Sequence, residues 1–180
     1  SLGNFFTVRD VAEQMGYEPI RFFLISSSYR SPINYNAEII GQGKAALDRL
    51  YTCRSALDDA EASAPEGAAD AAFAAKCGER REQFIAAMDD DLNTADAIAA
   101  LFELTKDINV LIASGGPSKG TCRAARTLFG ELCGVLGLLY DRKEEELDAE
   151  IEALIAARTA ARQNKNWAEA DRIRDELKAR

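Results

Sequence analysis

Phe73, Cys77, Phe84 and Met88 stand four, seven and four residues apart, the spacing of a single helical face. Ile98, Leu101, Phe102, Thr105, Ile108 and Ile112 form a second stripe, and Leu128, Phe129, Leu132, Val135 and Leu136 a third. Ile40, Leu47, Leu50, Tyr51 and Leu57 make a fourth. A half-buried strand would alternate every two residues, and no convincing strand pair does so here. Four apolar helix faces bury themselves against one another, so the pattern implies an all-α chain whose main body is a helical bundle.

Local signals set the boundaries. Thr7-Val-Arg-Asp10 is a capping box that should open a short helix closing at Gly16, with Val8, Val11 and Met15 on its apolar face. Pro19 suits the first turn of a second helix that turns Ile20, Phe23 and Leu24 inward. Pro32 cannot continue that helix and biases Ser31 to an extended conformation. From Asn36, a good N-cap, a long helix should run to about Ala62 and break in Ser63-Ala-Pro-Glu-Gly67. The next helix stops in Asp89-Asp-Asp-Leu-Asn93; Asn93 then caps its successor, with Asp96 near the N3 position. Ser114-Gly-Gly-Pro-Ser-Lys-Gly120 reads as loop throughout. Asp141 to Glu146 should be exposed. Two shorter helices are expected at the end, one around Ile151, Leu154 and Ile155, the other opened by Asn166-Trp-Ala-Glu169 and carrying Ala170, Ile173 and Leu177.

Composition narrows the chemistry. The 180 residues include no histidine, which removes imidazole nucleophile–base pairs, H-E-x-x-H zinc sites and a histidine general base from this chain. Cys53, Cys77, Cys122 and Cys133 form no C-x-x-C pair and read as small buried hydrophobes. With no secretory leader and no run of apolar residues long enough for a membrane span, the chain reads as soluble, reduced and cytoplasmic. Asp89-Asp90-Asp91 suits a helix end better than a Mg²⁺ site, because no second carboxylate cluster accompanies it. The Gly-rich loop lacks the G-x-x-x-x-G-K-[ST] spacing and follows a helix where a phosphate loop follows a strand. No residue is therefore assigned a catalytic, cofactor-binding or metal-ligating role.

Charge is unevenly spread. Net charge is −8, yet residues 51–100 hold four Lys+Arg against eleven Asp+Glu while residues 151–180 hold seven against five. The basic positions Arg158, Arg162, Lys165, Arg172 and Arg174 surround Trp167, a combination that can engage phosphates and stack on a base. The competing explanation is a solvated face with Glu169, Asp171 and Asp175 as intrahelical partners. Tyr29-Arg30 is a second meeting of an aromatic and a cation, at a turn; it can equally be a rim residue lying over the core. On patterning alone, the bundle also suits a helical protein-interaction module without an RNA role.

Six ordered blocks alter that balance. Ser1-Leu-Gly-Asn-Phe-Phe-Thr-Val-Arg-Asp10, Arg21-Phe-Phe-Leu-Ile-Ser-Ser-Ser-Tyr-Arg-Ser-Pro-Ile-Asn-Tyr35, Ala46-Leu-Asp-Arg-Leu-Tyr51 and Phe84-Ile-Ala-Ala-Met-Asp-Asp-Asp-Leu-Asn-Thr94 are followed by Gly134-Val-Leu-Gly-Leu-Leu139 and the stretch from Ile155 through Arg162 to Asp175. Together they resemble cysteinyl-tRNA synthetase, a class I aminoacyl-tRNA synthetase, along nearly the whole chain. The resemblance implies a carboxy-terminal fragment: 1–36 as a stem-contact segment, 37–145 as the helical bundle, and 146–180 as the truncated start of an anticodon-side domain with a terminal helical pair. In that family S-L-G-N follows a K-M-S-K signature, which would put Ser1, Gly3 and Asn4 at the edge of the ATP loop. The parent's ATP, Mg²⁺ and zinc sites would lie outside this fragment, which alone should not aminoacylate. Ser28 stands where the family typically has histidine. The implied partner is the tRNA for cysteine, contacted through Arg30, Arg158, Arg162, Lys165, Trp167, Arg172 and Arg174, by a monomer that binds neither DNA nor membrane.

Overall fold

The computed structural model describes residues 7–35, 37–140, 154, 157, 158, 171–174 and 176. The chain falls into two compact units, Ser1–Tyr140 and Asp141–Arg180. In the first unit the described residues form six helices and no strand: α1 Val8–Met15, α2 Tyr17–Ile25, α3 Ala37–Ser63, α4 Ala71–Asp89, α5 Thr94–Ala113 and α6 Lys119–Val135. The all-α bundle expected from the four stripes is what forms.

The capping box at the start of α1 is reciprocal. The Asp10 N–H donates to Thr7 Oγ1 at 3.1 Å and the Thr7 N–H donates to Asp10 Oδ2 at 2.9 Å. These bonds favour the ionised carboxylate, so the pKa of Asp10 is lowered below its ordinary 3.8. Gly16, at φ 80°, closes the helix as predicted. Val8 and Leu24, however, are exposed. Both face the expected neighbours, but they line an open apolar groove with Val11, Ile20, Phe23 and Ile40 instead of filling a closed interior. Phe22 takes the inward place in α2, its ring meeting that of Phe102 edge-on at a centroid distance of 6.4 Å.

Helix α3 is the spine of the first unit, packing against α2, α5 and α6, with Leu50 and Leu57 fully buried. Its predicted N-cap, Asn36, lies outside the described residues. Helices α4 and α5 form a hairpin turned by Asp91 and Leu92, both at φ 55°, and closed by Asn93, whose side chain accepts from the Asp96 N–H at 3.2 Å. The left-handed turn suits an aspartate, which tolerates that region, and places Leu92 in solvent. The buried arc of α5 is wider than its predicted stripe, because α3, α4 and α6 all pack on it. Leu104 is fully buried, while Phe102 and Ile112 lie at the margins.

The predicted Ser114–Gly120 loop is shorter than expected: Lys119 and Gly120 belong to the first turn of α6. Ser118 caps that helix by accepting the Thr121 N–H at 3.2 Å. The α3–α4 connection supplies acceptors for the next two donors, Lys119 N–H to Pro65 O at 3.0 Å and Gly120 N–H to Gly67 O at 3.1 Å. The Asp70 N–H in turn donates to Thr121 Oγ1 at 2.9 Å. Only glycine fits at 120, since a Cβ there would lie 2.5 Å from the Gly67 carbonyl oxygen.

At the other end of α6, Val135 is exposed, contrary to the sequence expectation. It lies at the edge of the arc set by Leu128, Phe129, Leu132 and Cys133, and Leu136 and Leu138 close the core there. All four cysteines are buried, as expected. Burial pushes the Cys53 thiol up to about 11 and that of Cys133 to about 12.

In the second unit Leu154, Ala157, Arg158, residues 171–174 and Glu176 are helical, and Ile173 is buried as its place in the pattern required. Asp141 to Glu146, Ile151, Ile155, Trp167, Ala170 and Leu177 lie outside the described residues. No described helix is long and apolar enough to cross a membrane.

Candidate nucleic-acid interface

Arg30 follows α2, and its side chain is met by the α4–α5 turn. Its Nε donates to Tyr29 Oη at 2.8 Å, its Nη2 donates to Asp91 Oδ1 at 3.1 Å, and the same nitrogen stands 2.9 Å from Asp91 Oδ2. Tyr29 Oη donates to Asp91 Oδ1 at 3.0 Å, and the guanidinium lies 5.4 Å from the centre of the Tyr29 ring. Arg30 and Asp91 side chains are 69% and 54% exposed, so water screens their attraction and holds the pair only loosely. A guanidinium in this setting can exchange a carboxylate for a phosphate, retaining bidentate geometry. Asp91 stands in the run that the sequence assigns to a helix end. It is also the counter-ion of Arg30, a pairing across 61 positions that no local pattern announces.

Two described cations of the second unit, Arg172 and Arg174, have partners on their own helix. Arg172 Nη1 lies 3.8 Å from Glu176 Oε2, and Arg174 Nη1 donates to Asp171 Oδ1 at 2.8 Å. Arg172 and Arg174 flank buried Ile173 and, two positions apart, point to different sides of the helix. The intrahelical pairing weighed against an RNA role is thus present, with Glu176 as one partner. Such exposed pairs at helical spacing contribute only a few tenths of a kcal/mol and leave the guanidiniums open to exchange. Arg158 is half-buried, and its Nε has no hydrogen-bond partner among the described residues. Ser1, Gly3, Asn4, Arg162, Lys165 and Trp167 lie outside the described residues.

The arrangement offers charge and hydrogen bonding but no acid–base or nucleophilic pair. Among the described residues no three His, Cys, Asp or Glu side chains converge as a metal ion would require. The buried cysteines, with thiol pKa values raised by desolvation, are poor sources of the thiolate that zinc binds.

Residues 83–140, from the second half of α4 to the end of the first unit, match the family model of a DALR domain. Residues 144–180 match that of the cysteinyl-tRNA ligase anticodon binding domain. The chain is 44% identical over 183 residues to a cysteine–tRNA ligase of Symbiobacterium thermophilum, covering 99% of this chain and 39% of that relative. Against cysteine–tRNA ligases of Alkalilimnicola ehrlichii and Pseudomonas aeruginosa it is 47% identical over 189 and 188 residues, covering 100% and 99% of this chain and 38% of each relative. The chain therefore spans about two fifths of the length of the curated relatives it matches. Two family models in tandem, and identity near one half along essentially every residue, make the chain a member of the cysteinyl-tRNA synthetase family.

Proposed function

We propose that this chain is the tRNA-recognising portion of a cysteine–tRNA ligase. The longer enzyme would activate cysteine with ATP as cysteinyl-adenylate and transfer the acyl group to the 3′ end of its cognate tRNA. The observation that carries the reading is the match of residues 144–180 to an anticodon binding domain, whose last part, 151–180, holds seven Lys+Arg against five Asp+Glu. ATP with Mg²⁺ would supply the activated phosphate and zinc would select the cysteine thiol. The described donor set of this chain does not fit such a metal, so no chemical step is drawn through these residues.

The chain's own contribution is recognition. Arg30 in the first unit and Arg158, Arg162, Lys165, Arg172 and Arg174 in the second are assigned to backbone phosphates, with Trp167 as a stacking surface. Ser1, Gly3 and Asn4 are assigned to the edge of an ATP-binding loop. The strongly acidic stretch 51–100 is assigned to faces turned away from RNA. The protein is taken to act as a cytoplasmic monomer, without DNA or membrane partners.

Filter binding of a cysteine tRNA transcript across a salt series tests this. Affinity should fall with salt at a logarithmic slope of roughly 0.7–0.9 per phosphate contacted. Reversing Arg162 and Arg172 to Glu should weaken binding and flatten that slope. Affinity indifferent to salt and to both reversals would sink the assignment, as would cysteine-dependent ATP–pyrophosphate exchange by this chain alone for the assignment of no catalysis. Oligomerisation without any preference for tRNA over an acidic polymer would instead mark a protein-interaction module.

A further inference from the structure

The Tyr29, Arg30 and Asp91 side chains, all exposed and all in the first unit, leave a donor and an acceptor unused side by side. Arg30 donates from Nε to Tyr29 Oη and from Nη2 to Asp91. Its Nη1, with two further hydrogens, has no partner among the described residues, so a phosphate oxygen can be taken there without displacing Asp91. Asp91 Oδ1 is occupied, accepting from both Tyr29 Oη and Arg30 Nη2. Oδ2 meets Arg30 Nη2 at 2.9 Å and keeps a lone pair for a second donor. Both partners are fixed by tight turns. The Arg30 N–H donates to Ser28 Oγ at 3.4 Å and the Ser31 N–H to Ser28 O at 3.0 Å, while Asp91 sits at φ 55°.

A bare phosphate suits only half of this cluster. Asp91, with Asp89 and Asp90 in the same run, repels an anion, and an ionised carboxylate accepts hydrogen bonds but donates none. A ligand that suits both halves presents an anionic oxygen and, next to it, a hydroxyl that donates. The backbone of RNA does so at every nucleotide, where a phosphodiester is bordered by a ribose 2′-hydroxyl that DNA lacks. A latch between the end of α2 and the α4–α5 turn accounts for the joined atoms alone, and the exposure of the ion pair makes such a latch weak.

We propose that Asp91 is a specificity-determining residue of the tRNA-binding surface: it accepts a hydrogen bond from a ribose 2′-hydroxyl while Arg30 holds the neighbouring phosphate, and Tyr29 Oη keeps the two side chains in register. The proposal rests on the tRNA-binding reading above and adds that the first unit tells RNA from DNA by the sugar. The negative charge of the turn then serves selectivity, because a polyanion without hydroxyls meets Asp91 as repulsion only. No base preference follows from this contact, since every nucleotide offers the same phosphate and hydroxyl.

The test titrates two cysteine tRNA transcripts into the full chain, one with ordinary riboses and one made with 2′-fluoro nucleotides, which keep the A-form shape but donate no hydrogen bond from the sugar. The chain is used unsubstituted and as Asp91→Gly, Asp90→Asn and Arg30→Ala. Glycine at 91 removes the carboxylate and suits φ 55°. The unsubstituted chain should prefer the ordinary transcript, and in Asp91→Gly that preference should fall about three- to tenfold, the worth of one hydrogen bond. Asp90→Asn removes a charge from the same run and should leave the preference within about twofold of its original value. Arg30→Ala should weaken binding of both transcripts and lower the logarithmic salt slope by roughly 0.7–0.9. An unchanged preference in Asp91→Gly, even with both affinities reduced, marks a mere latch and overturns the proposal, as does an equal fall in Asp90→Asn or unaltered binding in Arg30→Ala. Equal affinity of the unsubstituted chain for the two transcripts also overturns it while leaving the tRNA reading in place. If that chain binds neither transcript, the tRNA reading falls and takes this role with it.

Discussion

Arg80 Nε donates to Asp107 Oδ2 at 2.8 Å, joining the middle of α4 to the middle of α5 with side chains only 19% and 12% exposed. Glu103 stands 3.8 Å from Arg80 Nη2 and Lys76 4.0 Å from Asp107, so the pair is the centre of a small network. Asp107→Ala leaves a largely desolvated guanidinium with one rim carboxylate. The expected loss is about 2 kcal/mol, below the ~3–5 kcal/mol of a fully buried pair because water reaches its edge. Urea unfolding measures it; a loss under about 0.5 kcal/mol would mean the pair is screened like a surface one.

Two helical glycines should respond oppositely to alanine. Gly120→Ala drives a Cβ against the Gly67 carbonyl and should cost about 1–3 kcal/mol as the connection is pushed away. Gly130→Ala meets no atom within 4 Å in the same helix and should gain about 0.5–1 kcal/mol from lower unfolded-state entropy and better helix propensity. Thermal unfolding of the two variants side by side checks the sign; a shared direction would refute the close approach.

The cysteines should be chemically silent while the protein is folded. At pH 8 the Cys53 and Cys133 thiols, raised to about 11 and about 12, present almost no thiolate and no route for reagent. Disulfide-exchange titration should show slow modification in buffer and rapid modification of four thiols in denaturant. A fast phase in buffer would show that one of these helices opens.

The capping box makes a local pH prediction. The folded pKa of Asp10 is depressed, so its contribution is complete above the ordinary value of 3.8 and is lost as pH falls through the lower folded value. Amide chemical shifts of Thr7 and Asp10 should therefore titrate together below that value. In Thr7→Ala the Asp10 midpoint should move back up; an unmoved midpoint would contradict the reciprocal bonds.

Which parts of this fold could be read from the chain follows the range of the forces involved. Caps at Thr7, Asn93 and Gly16, and the stripes of α3 to α6, depend on contacts within a few residues or on simple periodicity, and both are written locally. Val8, Leu24 and Val135 have suitable chemistry, but their burial depends on which neighbours close over them, and those neighbours are distant in sequence. The start of α6 was misplaced because Lys119 and Gly120 owe their helical state to carbonyls at 65 and 67. The interface residues illustrate the same division. Cations and aromatics are visible as types, whereas the Arg30–Asp91 pairing and the burial of Glu18 arise only from the packed topology.

The turn between α5 and α6 has one practical use. Gly115 and Gly116, at φ 102° and 128°, have no atom within 4 Å of the position a side chain would occupy, whereas the α3–α4 connection is bonded to the first turn of α6. Of these two loops, then, the glycine turn is the place to graft a fluorophore, an affinity tag or extra residues without disturbing the helices on either side, and the α3–α4 connection is the one to leave intact.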